Sequence, residues 1–176
     1  KFFSAAELGF YSKGNDIAAA PGKAIANALT KVAFPFLSRV QGDTDRLRTA
    51  MRRGVRLLAF VSFPIAVGLA AVAEPLIHVL LTEKWLPCVP FLQLLCLSGA
   101  LYPLSSLHLC ALKAIGRSDL FLRLAVAKQS VSIINIIIFL PFGLLAIVCG
   151  QALATIINYA LNSYYSKTLL VYSYTK

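Results

Sequence analysis

The sequence predicts an all-α, polytopic membrane protein, and three observations lead to that prediction. Hydrophobic residues make up 59% of the 176 residues and charged residues 14%, and the mean hydropathy is +0.76. Two stretches, 86–112 and 129–166, contain no Asp, Glu, Lys or Arg. A bilayer span needs about 20 apolar residues, and a soluble fold of this size has no interior large enough for so much apolar surface. These observations exclude soluble enzymes, secreted disulfide scaffolds and nucleic-acid-binding domains as the leading classes.

Five helical spans account for the apolar segments in order. The first is the most polar, the second contains Pro64 and Pro75, and the third occupies the first uncharged stretch. The second uncharged stretch would form a helix of about 57 Å, so Pro141–Gly143 is predicted to divide it by a tight turn. The spans run from about Leu8 to Ser38, Leu57 to Leu81, Pro87 to Ala114, Leu124 to Leu140 and Leu144 to Tyr165. Together they are predicted to form one membrane domain, 1–176.

Lys and Arg are distributed unequally between the two ends of these spans. Twelve of them lie in the first connection, the third connection and the C-terminal tail, and two lie on the opposite side. Positive residues are enriched in cytoplasmic loops, so this bias places the arginine-rich side in the cytoplasm. The net charge of +10 is therefore interpreted as a topology signal, with membrane lipids as partners and no nucleic acid.

The arginine-rich connection from about Gly42 to Arg56 has a helical pattern of its own. Leu47, Met51 and Val55 recur at helical spacing among arginines, behind a potential helix cap at Asp43 or Thr44. One interpretation is an amphipathic helix on the cytoplasmic leaflet. The other is plain positive-inside topology, which explains the arginines equally well.

The first span carries charged side chains on one face. Projected on a helix, they lie within about 60° of Asp16, and a lipid-facing surface does not tolerate them. One interpretation is a stripe that lines a cavity for an anionic substrate, because Lys is a compact phosphate-binding charge. The other is that Lys13 and Lys31 extend to opposite interfaces while Asp16 pairs with a lysine. The stripe consists of Lys13, Asp16, Lys23, Asn27 and Lys31.

Two further sets of polar residues lie in the later spans. Gln151, Thr155, Asn158 and Asn162 share one face of the fifth span, and they either bond neighbouring helices or wet a cavity for sugar hydroxyls. Glu74 and His78 lie one turn apart and are predicted either to bind a coupling proton or to anchor the membrane interface. His108 is expected to be a satisfied interior side chain.

No residue pattern indicates catalysis, a metal or a cofactor. The four cysteines form no C-x-x-C pair and are expected to be reduced, small apolar side chains. The sequence has neither a nucleophile–base pair nor a phosphate-binding glycine loop. The chain is therefore predicted not to be an enzyme. The first residue is Lys and not Met, and no signal-peptide pattern follows it, so we expect the chain to be a fragment of a longer protein.

Four strings of the sequence resemble the bacterial polysaccharide biosynthesis flippases of the multidrug/oligosaccharidyl-lipid/polysaccharide exporter superfamily. The more specific parts are the Trp85-Leu86-Pro87 turn and the Gly116–Asp119 loop, and Thr82 stands where glycine is common. The strings are ELGFYSKG (7–14), FPFLSRVQGDTDRLR (34–48), FPIAVGLAAVAEPLIHVLLTEKWLPCVPFLQLL (63–95) and LYPLSSLHLCALKAIGRSDLFLRL (101–124). The resemblance implies two lobes around a central cavity, with this chain in the second lobe as a C-terminal fragment.

The resemblance also implies a function. Such proteins flip undecaprenyl-diphosphate-linked oligosaccharides across the bacterial cytoplasmic (inner) membrane by alternating access, for O-antigen, capsule or exopolysaccharide synthesis. The implied partners are this lipid-linked substrate and polysaccharide polymerase or assembly proteins. The alternatives are a drug or peptidoglycan-precursor exporter of the same superfamily, or a small membrane interaction protein without transport.

Overall fold

The structure is a computed structural model that describes residues 3–116 and 118–172. This part of the chain is a bundle of α-helices without β-strands, which confirms the all-α class. Short 3₁₀ turns at Glu83–Cys88 and Leu140–Phe142 precede the fourth and sixth α-helices. The six helices are α1 (Ala5–Arg39), α2 (Thr44–Ala71), α3 (Ala73–Leu81), α4 (Val89–Ala114), α5 (Ser118–Phe139) and α6 (Leu144–Tyr172).

Helix α4 is the centre of the bundle. Fifteen of its 26 residues are buried, and α1, α2 and α6 all pack against it. Helix α5 packs mainly against α6, at the periphery. Because α4 is apolar around its whole circumference, it is suited to this enclosed position.

Two separate apolar clusters lie at opposite ends of α4. The first joins the start of α4 to α1, α3 and α6 and includes Ile77, Leu92 and Val148. The second joins the end of α4 to the end of α1 and the start of α2, and it includes Leu37, Met51 and Leu107. We call this second cluster the arginine-end cluster, because it lies beside the arginine-rich connection.

Four helical segments of the described chain are long and apolar enough to cross a membrane. They are Asp45–Ala71, Glu83–Ala114, Asp119–Phe142 and Leu144–Tyr165. Helix α1 has 35 residues, which is ample length, but its lysines and Asp16 lower its apolar content. Its membrane crossing, and with it a count of five spans, stays a prediction.

The second predicted span is divided differently in the structure. The connection 42–56 and the apolar segment after it form one continuous helix, because α2 begins at Thr44 and runs to Ala71. The helix then breaks at Val72, and α3 completes the predicted segment up to Leu81. The arginines therefore occupy the first turns of α2 and not a separate surface helix.

Asp43 caps α2, since its Oδ1 accepts the Arg46 backbone N–H at 3.0 Å.

Thr82, between α3 and the first 3₁₀ turn, has a φ of 79°. This left-handed region disfavours side chains with a Cβ, so the backbone at this position suits glycine better than threonine. We expect Thr82→Gly to raise the free energy of unfolding by about 0.5–1 kcal/mol, because the relief of strain exceeds the entropy cost of glycine. Thermal unfolding of the two proteins in one detergent measures the difference, and a less stable variant would contradict the expectation.

Candidate functional site

The charged stripe of α1 lies on the open surface of the bundle. Lys13, Asp16, Lys23, Asn27 and Lys31 are all exposed. In the described part of the chain, no ion pair joins Asp16 to a lysine. The lysine ammonium groups are therefore not neutralised by neighbours within the bundle and are open to an anionic partner.

The opposite side of α1 is a row of small residues that packs on α4. Gly14, Ala18, Gly22 and Ala26 are buried at every fourth position. A Cβ on Gly22 would overlap the backbone carbonyl oxygen of Gly99 in α4. Small side chains allow two helix backbones to approach this closely. This contact holds α1 in one rotation and so keeps the stripe outward. The helical projection emphasised the large apolar residues and did not identify the row.

The polar face of α6 points inward, in contrast to that of α1. The Tyr11 hydroxyl of α1 donates to Gln151 Oε1 at 2.9 Å, and the hydroxyls of Thr155 and Ser98 of α4 lie 3.1 Å apart. Asn158 is half-buried and Asn162 is fully buried. Gln151 and Thr155 thus bond neighbouring helices within the described bundle, and a role of this face in wetting a cavity for sugar hydroxyls stays a prediction.

The structure does not bring the two polar stripes together. The contact from α1 to α6 comes from Tyr11, which lies about 140° around α1 from Asp16. The exposed lysines therefore face away from α6. A common cavity between these two stripes does not form within the described bundle.

A buried polar group that the sequence reasoning underestimated lies beside the arginine-end cluster. His108 is 7% exposed and Asn162 is 0% exposed, and neither side chain has a hydrogen-bond partner within the described residues. The His108 ring packs edge-on against Tyr159 at 5.8 Å between centroids. The expectation that His108 is satisfied is therefore wrong. Unpaired polar groups at membrane depth are costly and are often functional.

We call His108, Asn158, Tyr159 and Asn162 the polar core group. Tyr159 packs against the arginine-end cluster, and Asn162 follows it by one helical turn, on the same face. The sequence feature that could have identified this group is the presence of polar residues within otherwise apolar spans. The contacts of these side chains could not be predicted from the sequence, because they depend on the rotation of α4 and α6 about their own axes.

Among the residues that the structure describes, no hydrogen bond or ion pair joins Glu74 to His78. Both are exposed at the end of the bundle opposite the arginines. His78 Nε2 lies 3.3 Å from Glu83 Oε1, outside α3. Glu74, Pro75, His78, Val79 and Leu86 line a shallow groove of about 310 Å³. Proton coupling by Glu74 and His78 stays a prediction.

Several known proteins of polysaccharide biosynthesis are similar in sequence to this chain. The model of a family described as polysaccharide biosynthesis protein matches residues 1–90. An uncharacterized membrane protein in the cps region of Klebsiella pneumoniae is 30% identical over 168 residues, or 93% of this chain and 33% of that protein. The teichuronic acid biosynthesis protein TuaB of Bacillus subtilis is 34% identical over 120 residues, or 68% of this chain and 25% of its own length.

A third relative is the lipopolysaccharide biosynthesis protein WzxC of Escherichia coli. It is 28% identical over 159 residues, or 90% of this chain and 32% of its own length. The chain therefore spans between about a quarter and a third of the length of these relatives. No solved structure matches the chain significantly.

The apolar helices and the relatives together define a class, the multi-pass proteins of the bacterial inner membrane. Within that class the assignment is more specific. The chain belongs to the polysaccharide biosynthesis protein family.

Proposed function

We propose that the chain is part of a transporter that moves lipid-linked oligosaccharide repeat units from the inner to the outer leaflet for surface polysaccharide synthesis. The observation that carries the proposal is the exposed lysine stripe on a helix of a polysaccharide biosynthesis protein. In the proposal the chain acts by alternating access and not as an enzyme. Its partners are the diphosphate-linked sugar and, for polymer assembly, the polymerase machinery.

The chemistry of the stripe supports a diphosphate as the recognised group. Lys13, Lys23 and Lys31 place three ammonium groups along the outward face of α1. A diphosphate presents several anionic oxygens, and Lys binds phosphate as a compact point charge. Asn27 lies between two of the lysines and offers an amide to a sugar hydroxyl. The small-residue contact with α4 holds these groups in one orientation, which reduces the entropy cost of binding.

The proposal is tested with Lys23→Ala/Lys31→Ala in the complete gene product, expressed in a strain from which the gene has been deleted. We expect surface polysaccharide to fall severalfold and the lipid-linked repeat unit to accumulate, because two phosphate-binding charges are lost. Both side chains are exposed, so the amount of protein in the membrane is expected to stay unchanged. Polysaccharide is measured by gel and immunoblot, and the lipid-linked intermediate by mass spectrometry.

Two controls separate charge recognition from general effects. Lys23→Arg/Lys31→Arg keeps both charges and is expected to retain most export. Lys84→Ala removes an exposed charge outside the stripe, within the first 3₁₀ turn, and is expected to have no effect. Normal polysaccharide in the double alanine variant would refute the role of the stripe, as would an equal loss in Lys84→Ala.

A further inference from the structure

A groove at the arginine-rich end of the bundle lies apart from the lysine stripe. Its volume is about 660 Å³, within the range of about 300–1,000 Å³ that is typical of small-molecule sites. One wall is the last three turns of α1, the other is the start of α2, and Leu107 of α4 forms part of the floor. The α1 wall is apolar and consists of Leu29, Ala33, Phe36, Leu37 and Val40.

The α2 wall adds positive charge at the mouth of this apolar groove. Arg46 and Arg53 both line it and are exposed, with Thr49 and Ala50 between them on the same face. Asp45 also lines the groove. Arg46 forms an exposed ion pair with Asp43 at 3.0 Å, and such pairs contribute little. The groove therefore combines an apolar wall with a mouth in which two arginines outnumber the one lining aspartate. Within the described residues Arg53 has no ion pair, and the exposed Arg46–Asp43 pair can be exchanged for an anion at little cost.

The position of the groove fits a molecule with an anionic head and apolar chains. Arg46 and Arg53 lie in the first turns of a helix that is apolar enough to span the membrane. From these arginines the apolar wall extends toward the middle of the membrane. On the predicted topology this level is the cytoplasmic headgroup region, where Lys and Arg attract anionic lipids. The α1 wall is centred about 120° around the helix from Asp16, so the groove is not part of the stripe.

We propose that this groove binds one anionic phospholipid of the cytoplasmic leaflet, with the phosphate on Arg46 and Arg53 and an acyl chain along Ala33 and Phe36. Charge complementarity at the mouth and the apolar wall below it identify this occupant. The bound lipid covers the apolar wall, of which Phe36 is the exposed member, and links the end of α1 to the start of α2. The site does not depend on the proposed export function.

The test uses phosphatidylglycerol that carries a photoreactive diazirine in one acyl chain, in phosphatidylethanolamine vesicles with the complete gene product. We expect cross-links to map to the two groove walls. Each arginine near an anionic surface contributes about fivefold in affinity, so Arg46→Gln/Arg53→Gln is expected to weaken labelling about thirtyfold. Ala33→Phe places a ring in the apolar wall and is expected to reduce acyl-chain labelling while leaving both arginines in place.

Arg48→Gln/Arg52→Gln is the matched control, because it removes the same charge from the same helix on another face. We expect it to leave labelling nearly unchanged. Equal losses in the two double variants would overturn the site in favour of non-specific surface attraction. Equal labelling by a phosphatidylethanolamine probe would overturn anionic recognition, and displacement of the probe by polyprenyl diphosphate would identify a substrate site. Absence of cross-links from both walls would show that another part of the protein covers the groove.

Discussion

Gly22→Ala is expected to lower the free energy of unfolding by about 3 kcal/mol, near the upper limit for overpacking. The added methyl group meets the backbone carbonyl oxygen of Gly99, and a backbone moves less readily than a side chain. Helix α1 must then shift away from α4 along their whole contact. The measurement is thermal unfolding followed with a thiol-reactive fluorophore, because Cys88, Cys96 and Cys110 are buried and free.

Gly9→Ala is the matched control in the same helix. Apart from the neighbouring backbone of its own helix, no atom of the described residues lies within 4 Å of the position that its Cβ would occupy. Alanine is favoured over glycine in a helix by about 0.5–1 kcal/mol, so this variant is expected to be slightly more stable. The same glycine-to-alanine substitution is therefore expected to change the free energy of unfolding in opposite directions at two positions of α1. An unchanged unfolding midpoint for Gly22→Ala would show that α1 does not pack on α4 at this point.

The helices themselves were largely predictable from the sequence. Uncharged runs and the Pro141–Gly143 turn place α4, α5 and α6 close to their predicted positions. The limits of α2 were not predictable in the same way. An arginine-rich amphipathic pattern fits a surface helix and an extension of a span equally well, and packing of Leu47 and Met51 against the end of α4 favours the continuous helix.

The faces of the helices were predictable only in part. Charge alone predicts that the α1 stripe does not pack against α4, since burial of Lys23 without a partner is costly. The inward direction of the α6 stripe depends on particular partners, Tyr11 for Gln151 and Ser98 for Thr155. The close contact of Gly22 with Gly99 depends on the crossing of two helices. Such pairings arise from tertiary packing, which a projection of one helix does not contain.

Asn162→Leu is expected to raise the free energy of unfolding by about 1–3 kcal/mol, because a fully buried amide without partners is replaced by an apolar side chain of similar shape. Asn135→Leu provides the contrast. Its Nδ2 donates to the Ile147 carbonyl oxygen at 3.2 Å, and loss of a bond between helices in a membrane costs about 0.6 kcal/mol. The fluorophore assay described for Gly22→Ala measures both variants, and destabilisation by Asn162→Leu would show that this amide has a partner.

The stabilised variant also bears on the proposed transport cycle. We expect the helices to exchange neighbours in alternating access, and the Asn162 amide, which lacks partners in the state described here, to gain them in another state. Asn162→Leu lowers the free energy of the state described here and not that of a state in which Asn162 is hydrogen-bonded. We therefore expect higher stability together with reduced surface polysaccharide at an equal amount of protein. Higher stability with normal export would show that Asn162 stays unpaired throughout the cycle and acts in neither substrate binding nor conformational exchange.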